Sequence, residues 1–218
     1  EDRFIPTGKQ SNKANVIFIT EDRQGRMIVS LNWTIYIKDT YIEDQDAKQF
    51  KQIAVADKAF KHSRIFAYAM DKKGVLWLGT KDGLAYLHSE GDNHLIKYPR
   101  LNGKPRFDQP ALALYADTDS TLWIGSTDAG LFKYDTVSNH YEKFTGMADL
   151  AKTAEIYAIL PDNHHQLWLS TSNGLLRTNK LTDKAHLFNR SDGLQSELFY
   201  YRSALRAADG RLFFGGRK

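Results

Sequence analysis

The sequence predicts an all-β chain of stacked sheets, each of four short antiparallel strands, and three observations predict it. First, a phrase recurs: GVLWLGTKDGLAYL at residues 74–87, TLWIGSTDAGLFKY at 121–134 and QLWLSTSNGLLRT at 166–178, with worn copies at 25–35 (GRMIVSLNWTI) and 210–215 (GRLFFG). Second, aligned on Trp77 the copies place Ile28, Trp77, Trp123, Trp168 and Phe213 at steps of 49, 46, 45 and 45 residues. That is the interval of a four-stranded propeller blade, roughly 40–50 residues. Third, short apolar runs alternate with polar clusters closed by Gly, the punctuation of strands and hairpins. The expected fold is a β-propeller segment of about four whole blades with partial blades at both ends.

Each element follows from its residues. The second unit opens with Ile65-Phe66-Ala67-Tyr68-Ala69-Met70, apolar at nearly every position as a strand buried on both faces is. Asp71-Lys72-Lys73-Gly74 reads as a hairpin turn, and residues 75–80 as the second strand. Asp82-Gly83 suits the positive φ of a tight hairpin before a third strand at 84–87; a looser loop through 91–93 precedes a fourth at 95–98. The third unit repeats the pattern at 111–116, 121–126, 131–134 and 141–144, and the fourth at 156–160, 166–171, 175–178 and 186–188. In the degenerate first unit, 16–55, Ile28 replaces Trp and Thr34 stands where the second Gly belongs. Blade boundaries are therefore expected at 16–55, 64–98, 111–144 and 155–188, with two strands of a further blade at 199–218. Residues 1–8 parallel 142–146 and read as the last strand of a preceding blade.

Recurrence separates scaffold from chemistry. Asp22, Asp71, Asp117 and Asp162 stand six residues before the Trp position, where a carboxylate accepts hydrogen bonds from turn backbone. Trp77, Trp123 and Trp168 are expected between blades, and Gly83, Gly130 and Gly174 in the second hairpin. A catalytic residue is needed once, so features present in every unit are structural.

Composition narrows the function classes. The 218 residues, 42% hydrophobic and 12% aromatic, make a globular chain without cysteine, hence without disulfides or thiolate metal sites. The net charge of +4 is dispersed, its densest stretch being Lys97, Arg100, Lys104 and Arg106, and no nucleic-acid motif accompanies it. No apolar run approaches the roughly 18 residues that span a bilayer. The opening EDRFIPTGKQ carries neither initiator Met nor signal peptide and reads as an internal piece of a longer protein. Of seven histidines, the adjacent His164 and His165 fall in a turn and point apart; no metal and no cofactor is expected. The acidic stretch 43–46 reads as a solvated loop, and no nucleophile, zinc or phosphate-loop motif occurs.

Ligand contact, where it occurs, is expected on one rim. The loops entering each blade (58–64, 99–110, 146–155 and 189–197) lie there with the turns between second and third strands. Arg64, Lys81, Arg106, Asp108, Gln109, Asp128, Glu155, Asn173 and Glu197 are the candidate hydrogen-bonding residues, and Phe107 the candidate stacking face.

The phrase LWLGTKDGL, preceded by an apolar strand and an Asp-x-x-Gly turn, resembles the two-component regulator propeller repeat. SDGLQSELF at 191–199, SAL at 203–205 and DGRLFFGG at 209–216 resemble the last blade of such sensors. The resemblance implies a non-catalytic propeller in the periplasm, part of a transmembrane receptor. Its cytoplasmic output would be a histidine kinase or a diguanylate cyclase, its ligand a small molecule or oligosaccharide, and its working form a homodimer made through the parent protein. Membrane attachment would come only from segments absent here. Rival propellers fit less well. There is no Gly-His or Trp-Asp pair, a single Gly-Gly pair, and Asp71 stands one residue too far from its Gly for a sialidase box. An enzyme on a propeller, a lyase or hydrolase, and a protein-binding scaffold are the alternatives.

Overall fold

The computed structural model describes residues 16–31, 34–38, 51–55, 63–90, 93–101, 104–105, 107–117, 120–127, 129–146, 154–182 and 184–217. The proposed strand at residues 1–8 lies outside them. The first sheet comprises β1 (Val16–Glu21), β2 (Met27–Leu31), β3 (Thr34–Lys38) and β4 (Lys51–Gln52) in sequential order. The second comprises β6 (Ile65–Met70), β7 (Leu76–Thr80), β8 (Gly83–Glu90) and β9 (Asn93–Lys97); the short β5 (Ala54–Val55) pairs parallel with β9. A small ribbon, β10 (Arg100–Leu101) with β11 (Lys104–Pro105), precedes the third sheet of β12 (Ala111–Ala116), β13 (Thr121–Ser126), β14 (Leu131–Asp135) and β15 (His140–Lys143). The fourth holds β16 (Ile156–Pro161), β17 (Gln166–Thr171), β18 (Gly174–Asn179) and β19 (Ala185–Phe188). A 3₁₀ turn, Arg190–Asp192, leads to the hairpin β20 (Phe199–Arg206) and β21 (Leu212–Gly216). These are propeller blades: antiparallel sheets of four strands in sequential order.

The core lies in slabs between successive sheets. Phe18, Ile28 and Ile35 meet Ile65, Leu78 and Ile96. Trp77 and Leu84 meet Ala111, Ile124, Phe132 and Tyr134. Trp123 and Leu131 meet Ile156, Leu167 and Leu176. Every residue of β7 is buried. Close approach requires a small residue two places after Trp: a Cβ on Gly79 would stand 2.5 Å from the Ala111 carbonyl oxygen of the next blade. Lys180 Nζ joins the fourth blade to the third through Asp117, at 2.8 and 2.9 Å from its two oxygens.

The recurring Asp does more than hold its turn. In the second blade one oxygen of Asp71 accepts from the Lys73 and Val75 amides (2.9 Å each) and the other from the Trp77 indole N–H (2.9 Å). Trp123 and Trp168 donate likewise to Asp117 and Asp162 at 3.1 Å. In the degenerate first blade, where Ile28 has no side-chain N–H, Arg26 Nε takes the place of the indole on Asp22 at 2.6 Å.

Candidate functional site: the mouth of the axial channel

Each inner strand breaks register near its start. Pairing skips between Val16 and Phe18, Ile65 and Ala67, Ala111 and Ala113, and Ile156 and Ala158, and over a longer stretch between Phe199 and Ala204. A bulge re-aims its side chain away from the sheet face. Here the bulges turn Ile17, Leu112 and Tyr157 toward an axial channel of about 350 Å³ lined by β1, β6, β12, β16 and β20.

Entry loops and second-to-third turns are joined in pairs: the Lys81 amide donates to the Arg64 carbonyl (2.8 Å), Leu84 to Phe107 (3.2 Å) and Ser172 to Glu155 (3.0 Å). Arg64, Lys81, Asp108 and Asn173 are exposed there, and Gln109 is half-buried. Arg106 and Asp128 lie outside the described residues. Phe107 corrects the reading of a free stacking face: it is 1% exposed and packed edge-on against Phe132 and Tyr141, because its backbone is drawn in by Leu84. Glu197 is drawn off into a local cap, its Oε1 accepting from the Arg190 amide at 2.9 Å. Trp168 also departs from the expectation of an interblade core residue. It is half-buried, stacked on Phe188 with the Arg177 guanidinium over both rings.

Among the expected residues Glu155 gathers others around it. Its Oε2 accepts from the Tyr157 hydroxyl at 2.9 Å and from the Tyr201 hydroxyl at 3.0 Å, and the two rings lie 4.3 Å apart. Burial, then the Glu155 carboxylate, raise both tyrosines above their ordinary pKa, so both stay protonated as donors. Tyr157 lines the channel and Tyr201 is exposed at its mouth. Deeper lies Arg202, whose guanidinium donates to the carbonyls of Ile65 (2.8 Å), Phe66 and Ile17 (3.4 Å). Burial lowers its pKa, against the opposing influence of Tyr68.

Sequence reading missed Tyr201 and Arg202, although the signal was present. Stepping back 11 residues from the Trp position gives Ile17, Phe66, Leu112, Tyr157 and Arg202, one charged residue in an otherwise apolar and aromatic series. Among the described residues no group of three His, Cys, Asp or Glu side chains is placed to hold a metal ion, and no histidine lines the channel.

No family model matches the chain. It is 25% identical over 158 residues to histidine kinase P4 of Formosa agariphila, which covers 71% of this chain and 11% of that protein. Two solved extracellular domains of hybrid two-component systems of B. thetaiotaomicron superpose with TM-scores of 0.69 and 0.71. Each is 19% identical and covers 91% and 94% of this chain, respectively, and 26% of the neighbour. Virginiamycin B lyase of Staphylococcus aureus superposes at 0.66 with 13% identity, over 92% of this chain and 63% of its own. The chain thus spans about a quarter of the two-component domains it resembles and a ninth of the kinase. By its sheets and its neighbours it is a β-propeller segment, similar in fold to the extracellular domains of hybrid two-component systems.

Proposed function

We propose that the chain is a non-catalytic, ligand-sensing propeller segment of an extracytoplasmic receptor of the two-component type. The observation that carries this reading is likeness of fold, over 91% and 94% of the chain, to extracellular domains of such receptors, with a histidine kinase as sequence relative. Ligand binds at the channel mouth. Tyr201 offers an exposed ring for a sugar to stack upon, and Glu155, already oriented by two hydroxyls, accepts from the ligand's own hydroxyls. An oligosaccharide fits that chemistry. Segments beyond these residues, in a homodimer of the periplasmic region, pass occupancy to a cytoplasmic kinase or cyclase.

The test is calorimetry and thermal denaturation of the complete protein with a panel of neutral oligosaccharides. Saturable stabilisation with the ligand recovered unchanged is the expected result, and Glu155→Ala weakens it by roughly tenfold, the worth of one hydrogen bond to a charged group. The fold of virginiamycin B lyase favours a second reading, a propeller enzyme, and product formation from any panel member would establish that reading instead.

A further inference from the structure

We propose that the axial channel binds the carboxylate of a small organic acid, held on Arg202. The inference rests on the reading of the channel mouth as the ligand site and adds the chemistry of what enters it.

Arg202 occupies the register that Ile17, Leu112 and Tyr157 use to line the channel, and it lines the same space. Its backbone φ is +59, a left-handed conformation rare for residues with side chains. Conformations of this kind cluster where a side chain must be aimed at a functional site. The aim here is into the channel: Nε, Nη1 and Nη2 donate to Phe66, Ile17 and Ile65, on strands of the first two blades.

Those three acceptors are neutral carbonyls. They satisfy donors without neutralising the charge, and a guanidinium carries five N–H groups and does not lose its proton in proteins. The described residues lining the channel include no carboxylate; apart from Arg202 they are aliphatic residues, Phe18, Tyr68 and Tyr157. A fixed cation between low-dielectric walls focuses its field along the channel, and the complement of that field is an anion. A carboxylate matches a planar guanidinium, since two oxygens can accept from its fork of donors. The volume, about 350 Å³, lies at the lower end of ligand pockets at roughly 300–1,000 Å³, which calls for a compact acid.

Titration calorimetry on the complete protein, at constant ionic strength made up with chloride, tests this with matched probes: succinate against succinamide, and glucuronate against glucose. Saturable binding of at least one acid, with its neutral counterpart at least tenfold weaker, is the expected result. Succinate binding marks a free acid as the class, and glucuronate alone marks a carboxylate carried on a sugar ring. Arg202→Gln, which keeps planar donors and removes the charge, weakens the acid at least tenfold, as loss of a charge-assisted hydrogen bond predicts. If Arg202→Gln does not fold, the acid-to-neutral ratio of the wild type decides alone. Equal binding of acid and neutral probe, or no acid binding, overturns the proposal and leaves Arg202 a tie between inner strands. A neutral oligosaccharide that still binds through Glu155 would then preserve the sensor reading by itself.

Discussion

Asp71 takes three N–H donors on two oxygens, and that small station explains why an Asp precedes each Trp. Removing it orphans an indole N–H in a buried slab and opens the turn. Asp71→Ala is expected to destabilise by about 2–3 kcal/mol in urea denaturation, more than Asp22→Ala, whose partner Arg26 can turn to solvent. Asp117 adds a charge effect. Burial opposes its ionisation, but the Lys180 ammonium, with the Trp123 N–H, holds its pKa below the ordinary 3.8. A group depressed in the folded state contributes stability above its unfolded pKa and loses it as pH falls through the folded value. Lys180→Met should therefore cost about 1–2 kcal/mol at neutral pH, for a pair that is largely but not wholly buried. The melting curves of variant and wild type should converge below pH 3.8. A gap independent of pH would remove the ion pair from the account. Ser170 takes the small-residue position of the fourth blade, and its buried hydroxyl has no hydrogen-bond partner among the described residues. Ser170→Ala keeps the Cβ and drops the orphaned oxygen, so a gain of about 1 kcal/mol is expected from the midpoint of chemical unfolding.

At the scale of the element, strands and hairpins were legible because their causes are local. The apolar run 65–70, the Asp-x-x-Gly turn and the Asp82-Gly83 corner each act within a few residues, and β6, β7 and β8 fall where they indicate. What was not legible is set by neighbours distant in sequence. Nothing in Ala54-Val55 announces a parallel pairing with residues 95–96 of the next sheet. Phe107 looked like a free ring because its burial is decided by Phe132 and Tyr141, which arrive three and four strands later. Arg202 was readable only by carrying the period through the bulges, and Glu155 gains its meaning from Tyr201, 46 residues on. The Gly79 position is a local letter with a distant reason. Its φ is not left-handed, so Gly79→Ala tests packing alone: the added methyl meets the Ala111 carbonyl and should cost about 1–3 kcal/mol by forcing the second and third blades apart. A neutral outcome in thermal denaturation would mean that the blades can slide apart freely.

At the scale of the whole molecule, one register position reports how each blade is covered. Trp77 is 5% exposed and Trp123 2%, each roofed by a complete neighbouring sheet. Trp168, whose blade is followed among the described residues by the two-stranded β20–β21 hairpin, is half-buried, and Phe213, in the same register on that hairpin, is 48% exposed. Its cross-strand partner Leu205 is exposed with it, as are Leu198 and Tyr200. The residue type is constant in character while the exposure climbs, so the gradient measures the sheet against it rather than the side chain. Cost of truncation should follow the same gradient. Trp123→Ala is expected to lose about 3–5 kcal/mol, the range for a large aromatic removed from a packed core. Phe213→Ala should lose under about 1 kcal/mol, since a half-exposed ring forfeits little on truncation. The two losses are expected to differ several-fold. Parallel urea titrations of both variants decide it. Equal losses for the two variants would mean that coverage by a neighbouring sheet does not set the cost of truncation.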